Sequence, residues 1–529
     1  MEISIFSNRG MIMKHKKLLC ISLTATLALS AFMVAACNKN VDPPADDNPT
    51  TGDEWHNQSL WLTEDALLPT EKMVLPTESK NNSEAVAVHD PSIFQDPKDG
   101  KYYAFGSHFA VAESEDLIVW EQYAKDNEDT KLFDGGVKEA MPETLKLAKN
   151  NTDAWAPDVE YYNGKYYMYI SFTTAMYTST SVISRVESDN VLGPYSNEKI
   201  LIESVTSDES DKVRPNCIDP ELFYDKNGGL WMVYGSFFGG IFIKELHNSG
   251  ANWGLPKEDG LHDWGKLIWN GGYSAGVEGP FVFYNASTDY YYLMTSEDDL
   301  MSKYNMRIAR SKTPDGPYLD VTGADVAGAG KGNKIAGNYT FHGNKKGSAA
   351  LGHNSVIKDA EGRYFVIYHV RSQTGNKVEL AHHLMVNELY FNEEGWPVMA
   401  PTAYVGEKAG LATQAEIAGD YEIVLHTVKS EVTMVSSEKY TLAADGTVTK
   451  DGKEAGSWTV KKDYYVEITL KETKNVDGKD TTVDVVYKGV VAPGWDNYAG
   501  ARDKKDVITI TAVSDTGRSL WAIPAIDKK

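Results

Sequence analysis

Between residues 82 and 404 short apolar runs alternate with clusters of Asp, Asn and Gly, and the alternation recurs five times. "HDPSIFQDPKDGKYYAFGSH" begins at His89, "WAPDVEYYNGKYYMYISFT" at Trp155 and "IDPELFYDKNGGLWMVYGSF" at Ile218. "EGPFVFYNASTDYYYLMTS" begins at Glu278 and "GHNSVIKDAEGRYFVIYHV" at Gly352. Each copy has a polar or turn-forming start, a short apolar strand, a turn and a second, aromatic strand. That is the pattern of a β-hairpin, whose turn residues supply the positive φ values of a tight connection. The equivalent positions Asp90, Ala156, Asp219, Gly279 and His353 are 66, 63, 60 and 74 residues apart.

Such a period holds four antiparallel strands with loops, somewhat more than the ~40–50 residues of compact propeller repeats. The pattern predicts an all-β chain with a five-bladed β-propeller over residues 82–404. A pair of stacked sandwiches is the competing arrangement, and the near-constant spacing favours the propeller. From residue 405 to 529 apolar and polar residues alternate around turns at "ADG" and "KDGKEAG", which predicts a smaller antiparallel β domain, a barrel or sandwich. It shows no catalytic constellation; bracing the propeller is the favoured role, carbohydrate binding the other.

The N-terminus has a different character. Lys14, Lys16 and Lys17 precede an almost wholly apolar run, Leu18 to Val34, that ends in "VAAC" and turns polar at once. A short membrane helix is one reading. The small residues before Cys37 resemble a bacterial lipobox, which makes residues 1–36 a signal peptide and Cys37 a lipidated first residue. The Asp-, Asn- and Pro-rich segment that follows reads as a flexible tether over 37–81. The expected location is therefore the cell envelope of a bacterium, with a lipid anchor in the outer membrane. Of three cysteines only Cys217 lies beyond the lipobox, so stability rests on packing without an internal disulfide.

The 529 residues carry a net charge of −23, which repels phosphate backbones and excludes nucleic acid as a natural partner. No motif implies a protein partner. Thirty Tyr and 12 Trp suit strand packing and also the stacking of sugar rings.

In a propeller the innermost strands begin near the axis, so the five equivalent positions converge on one mouth. Two of them are Asp90 and Asp219, and Glu278 immediately precedes a third. One Asp-Pro step is usually just a turn. Three carboxylates at one mouth must separate their pKa values, giving one ionised and one protonated group near neutral pH. Glycoside hydrolysis needs such a pair. Gly276 and Gly279 read as leaving room for a substrate chain beside Glu278.

The linked motifs "HDPSIF", "WAPDV", "NCIDPELF", "YGSFFGGI", "VEGPF", "GHNSV" and "EEGWPVMAP" resemble glycoside hydrolase family 43, and within it the endo-α-1,5-L-arabinanases. The resemblance covers roughly residues 85–404. It implies an inverting enzyme acting on arabinan or arabino-oligosaccharides, with Asp90 as general base, Glu278 as general acid and Asp219 tuning and orienting the acid. It further implies substrate contacts from Asn216, Cys217 and Ile218 and from Gly235, Ser236 and Phe237. Trp155 and Phe237 offer stacking faces or plain blade packing. Asp158 is read as a buried tie between strands.

The resemblance also places His353 against a central metal, usually Ca2+. Calcium prefers six to eight oxygen ligands, so one imidazole would need waters to complete the shell. A core histidine bonded to a strand carbonyl is the alternative. His382 and His383 lack the spacing of a zinc site.

Rival functions remain at this level. Fructan-cleaving enzymes usually carry Arg-Asp-Pro at the middle carboxylate, where this chain has Ile218-Asp219-Pro220. An exo-acting arabinofuranosidase or β-xylosidase differs in the loops that close one end of the groove. A non-catalytic polysaccharide-binding lipoprotein would have no need to hold three carboxylates together.

Overall fold

The computed structural model describes residues 65–526, except 176–177, 205–213, 258–259, 271–275, 477–478 and 501–502. The signal segment, Cys37 and the first part of the proposed tether lie outside the described residues. From Asp65 onward the chain is already fastened to the folded body, a change from a tether running to residue 81. The Asp65 carboxylate pairs with Lys358 at 2.8 Å, and Met73 and Leu411 are joined by a backbone hydrogen bond of 2.8 Å.

Five sheets form the propeller, each built mainly from one contiguous stretch of chain. Their innermost strands are Ser92–Gln95, Ala154–Tyr162, Glu221–Tyr224, Val277–Asn285 and Lys346–Lys358. Blades one to four have four antiparallel strands each. Blade five has six, because Tyr339–Thr340 and Val435–Ser436 extend it on one side. The second of these comes from the C-terminal region, so that region is stitched into the propeller by main-chain hydrogen bonds.

Neighbouring blades are joined at their inner strands by buried polar groups. Asp158 accepts from Ser92 Oγ at 2.7 Å and from the Leu222 N–H at 3.0 Å, linking the first three blades. Glu221 accepts the Val282 N–H at 3.1 Å. Ser355 accepts the Ile93 N–H and donates to the Pro91 carbonyl, which joins blade five to blade one where the ring closes. Ile93, Ala104, Ile357, Phe365 and Ile367 share one apolar cluster there. The role expected of Asp158, tying strands, is the one it has.

The C-terminal domain is a closed eight-stranded barrel, resolving the choice between barrel and sandwich. Its last strand, Ser519–Pro524, pairs with its first, Gly419–Leu425. Tyr421, Leu442, Trp458, Ile468 and Leu520 fill the interior, so the barrel is a packed core. It rests on the propeller through Trp521 against Tyr339, and through a buried contact of 2.8 Å between His342 Nε2 and Asp496 Oδ2.

Candidate active site

The five equivalent positions share a backbone signature. Asp90, Ala156, Asp219, Gly279 and His353 have φ of 53°, 34°, 56°, 56° and 51°. Four of the five are not glycine, and non-glycine residues adopt this left-handed region rarely and at a cost. The turn breaks the strand register at Glu278/Phe281, Trp155/Asp158 and Gly352/Ser355, and the side chains of Asp90, Asp219 and His353 line one small axial cavity of about 20 Å³. That is room for a water.

Asp90 is the most heavily supported group. Its Oδ1 lies 3.0 Å from His353 Nδ1 and its Oδ2 lies 3.3 Å from His89 Nδ1. Ser107 donates to Oδ2 at 2.5 Å while accepting the Ala156 N–H at 2.9 Å, so the hydroxyl can point only at the carboxylate. The Asp90 N–H donates to His369 Nδ1 at 3.2 Å. Burial by itself would raise the Asp90 pKa, but the imidazoles of His353 and His89 hold it well below the usual carboxylate range. Asp90 is ionised.

Glu278 is arranged for the opposite state. It is buried, and burial raises its pKa; the Asp90 charge adds to the rise, while His353 and a 2.7 Å hydrogen bond from Ser236 Oγ oppose it. The fully buried Tyr304 hydroxyl faces the same carboxyl. Asp219 is likewise raised, chiefly by burial and then by Glu278 and Asp90, and its Oδ2 accepts the Gly279 N–H at 3.2 Å. Asp219 therefore fixes the backbone that carries Glu278. Burial is the largest cause of the Glu278 elevation, and Asp219 and Glu278 repel each other's charged forms.

His353 carries the counter-charge. Burial would lower its pKa, but Asp90, Asp219 and Glu278 together raise it to about 9. Its ring lies over Gly279, where a Cβ would approach the imidazole to 3.1 Å. Similarly, a Cβ on Gly276 would meet the Phe237 ring at 2.7 Å. These glycines make room for neighbouring side chains. With Nδ1 engaged by Asp90, a metal would need Nε2 of a neutral His353, and the carboxylates that raise the pKa of this ring work against that state.

The remaining expected residues divide. Ser236 serves Glu278 directly. Phe237 is half-buried beside it, its N–H bonded to the Val277 carbonyl at 2.8 Å. Trp155 is half-buried, held by Thr173 and edge-on to His108. Asn216 is buried and oriented by Ser181 at 2.6 Å, and Ile218 keeps 8% exposure next to Asp219. Gly235 has φ 126° and packs its backbone on Gly240. Cys217 does not join them: its side chain is fully buried in the apolar cluster between blades two and three, which leaves no face for substrate.

Ser107, Tyr304 and His369 are supporting residues that the sequence reading missed. His369 left one trace, a polar residue in the apolar run "YFVIYHV". Ligating atoms of His89, Asp90 and His369 lie within 4.8 Å of one another.

Comparison with known proteins supplies the family and its relatives. The model of the glycosyl hydrolases family 43 matches residues 83–397, and that of a C-terminal lipocalin-like domain matches residues 401–522. An extracellular endo-α-(1→5)-L-arabinanase of Thermotoga petrophila is 36% identical over 465 residues, covering 82% of this chain and 93% of its own. Extracellular endo-α-(1→5)-L-arabinanase 2 of Bacillus subtilis is 35% identical over 470 residues, covering 82% and 92%. The crystal structure of an endo-1,5-α-L-arabinanase from Thermotoga petrophila superposes with a TM-score of 0.75 at 34% identity, over 85% of this chain and 100% of that one.

Proposed function

The chain belongs to the glycosyl hydrolases family 43, and we propose that it hydrolyses internal α-1,5-L-arabinofuranosyl linkages of arabinan with inversion at the anomeric carbon. The observation that carries this reading is the opposed shift of two carboxyls at one mouth, Asp90 held well below the usual carboxylate range by His353 and His89, and Glu278 raised by burial. The two relatives matched over 82% of the chain are endo-arabinanases, which supplies the substrate class.

In this mechanism Asp90 removes a proton from a water that attacks the anomeric carbon. Ser107 and His353 aim its two oxygens. Glu278 gives its proton to the departing glycosidic oxygen, and the low polarity of its buried site keeps that proton in place until the bond stretches. Asp219 holds the Gly279 backbone, and with it the acid, in register. Trp155 and Phe237 flank the mouth as stacking faces. Ca2+, if taken with waters by Nε2 of a neutral His353, would supply the positive charge beside Asp90 that the protonated ring otherwise brings.

The same reading makes the protein a secreted lipoprotein of the cell envelope, anchored through Cys37 in the outer membrane. Growth with a labelled fatty acid labels the wild type and leaves Cys37→Ser unlabelled; equal labelling of both removes the anchor from the proposal.

The decisive test is a product profile on linear arabinan with proton NMR of the first product. A spread of oligosaccharide sizes with inverted configuration is expected. Release of single sugars from chain ends, or retained configuration, overturns the internal or the inverting part respectively.

A further inference from the structure

A cavity much larger than the axial one lies elsewhere in the described residues. It has a volume of about 590 Å³, well within the ~300–1,000 Å³ range of small-molecule sites, and lies where blade five meets the barrel. The barrel contributes Trp495, Asn497 and Tyr498; blade five contributes Tyr339, Ser348 and Tyr368. Asn81 and Glu84 close it from the segment before blade one.

The walls are locked in place. Asp496, between the barrel residues, is fixed to His342 of the propeller, and its Oδ1 accepts the Tyr498 and Ala499 N–H groups at 2.8 and 3.1 Å. The Tyr498 hydroxyl donates to the Tyr339 hydroxyl at 2.7 Å and lies 3.1 Å from Ser348 Oγ. Asn344 Nδ2 donates to the Tyr498 carbonyl at 3.0 Å. A cavity held this firmly exists before any ligand arrives, which reduces the ordering cost of binding.

Its chemistry selects a ligand class. Half-buried Trp495 and Tyr498 offer aromatic surface, while exposed Asn344 and Asn497 offer amides around it. Lys345 and Lys346 are balanced in part by Glu84, so the lining has no strong charge of one sign, and the chain as a whole repels polyanions. Ring C–H faces stack on aromatics and hydroxyls pair with amides, the requirements of a neutral sugar chain. We infer that this seam is a second, non-catalytic binding site for a neutral oligosaccharide, a stretch of the same arabinan that the mouth cleaves.

The two sites are mechanically connected. Ser348 and His353 stand on one strand, Lys346–Lys358, five residues or roughly 16 Å of extended chain apart. A polymer held at the seam raises its own concentration at the mouth without any new contact there. The inference rests on the proposed substrate, and the test separates the two.

The test titrates linear arabinohexaose into full-length Glu278→Gln by calorimetry, and repeats it with Trp495→Ala and Asn497→Ala added singly. Two sites are expected in the first protein and one in the others. In an otherwise wild-type background the two alanine variants should keep kcat on arabinotriose and raise KM on polymeric arabinan at least about fivefold. Asn497 is exposed, so its variant carries the test if Trp495→Ala fails to fold. A single site in Glu278→Gln, or two sites surviving in Asn497→Ala, overturns the inference. A wild type that does not cleave arabinan overturns the proposed function instead.

Discussion

The backbone N–H of Asp90 donates to Nδ1 of His369 at 3.2 Å, so the start of the first blade hangs on the second strand of the fifth. The bond places the His369 proton on Nε2 and leaves the ring neutral, in keeping with the burial that pushes its pKa well below the usual value. It also holds Asp90 at φ 53°, a conformation its own preferences resist. His369 stacks on Tyr304, ring centroids 5.6 Å apart, and Tyr304 faces Glu278. One imidazole thus backs both proposed catalytic carboxyls.

His369→Leu should therefore lower kcat on arabinan about tenfold or more with little change in KM, because an orphaned buried N–H costs ~1–3 kcal/mol and frees Asp90 to rotate. His369→Gln, whose amide oxygen accepts the same N–H, should recover much of the loss. Equal damage from both variants, accompanied by a lower melting temperature, would mean that His369 only fills space.

The repeat made the site legible because it rests on spacing and turn chemistry. Asp90, Ala156, Asp219, Gly279 and His353 were aligned by period alone, and each has the same left-handed backbone. What stayed hidden depends on chain segments far apart. Ser107 reaches Asp90 from a loop and Ala156 across a blade boundary, and neither contact has a local signal. Cys217 sits between two residues at the mouth, yet a tight turn, in which the Ile218 N–H donates to the Asn216 carbonyl at 2.9 Å, puts its thiol in the core. The two-residue strand Val435–Ser436 is too short to show any period.

The pH profile follows from the two opposed carboxyls. Activity should fall toward acid only as Asp90 protonates, well below the ordinary carboxylate range, and toward alkali as the raised Glu278 ionises. Ser236 Oγ donates to Glu278 and favours its charged form, so Ser236→Ala should raise the pKa further and move the alkaline limb to higher pH. A limb that moves to lower pH would contradict Glu278 as the acid. Rates of arabinan cleavage across pH supply the comparison.

Asp158 offers a test of structure against substrate contact. Burial pushes its pKa up to about 6 from an unfolded value near 3.8. Its contribution to stability is thus full below the unfolded value and is lost as pH rises through 6. Asp158→Asn removes this dependence. Between pH 4 and pH 7 the variant should gain on the wild type by something on the order of 3 kcal/mol in denaturant unfolding. Its activity should stay near wild type, since an amide can still accept the Leu222 N–H and donate to Ser92. Lost activity with unchanged stability would turn Asp158 into a substrate contact.

The sharpest outcome concerns the division of labour between Asp90 and Glu278. An acid is needed in proportion to how poor the leaving group is, whereas the base is needed whatever departs. On arabinan, Asp90→Asn and Glu278→Gln should each lose at least ~10²-fold, the lower range for general acid–base catalysis. With an aryl arabinofuranoside that the mouth accepts, Glu278→Gln should regain much of its rate, because a nitrophenolate leaves without a proton. Asp90→Asn should regain none, because the water still has to be activated. The environments point the same way: His353, His89 and Ser107 surround Asp90 with groups that favour its charged form, and burial raises the Glu278 pKa. If Asp90→Asn is the variant rescued by the good leaving group, the two roles are exchanged, with Asp90 the acid and Glu278 the base.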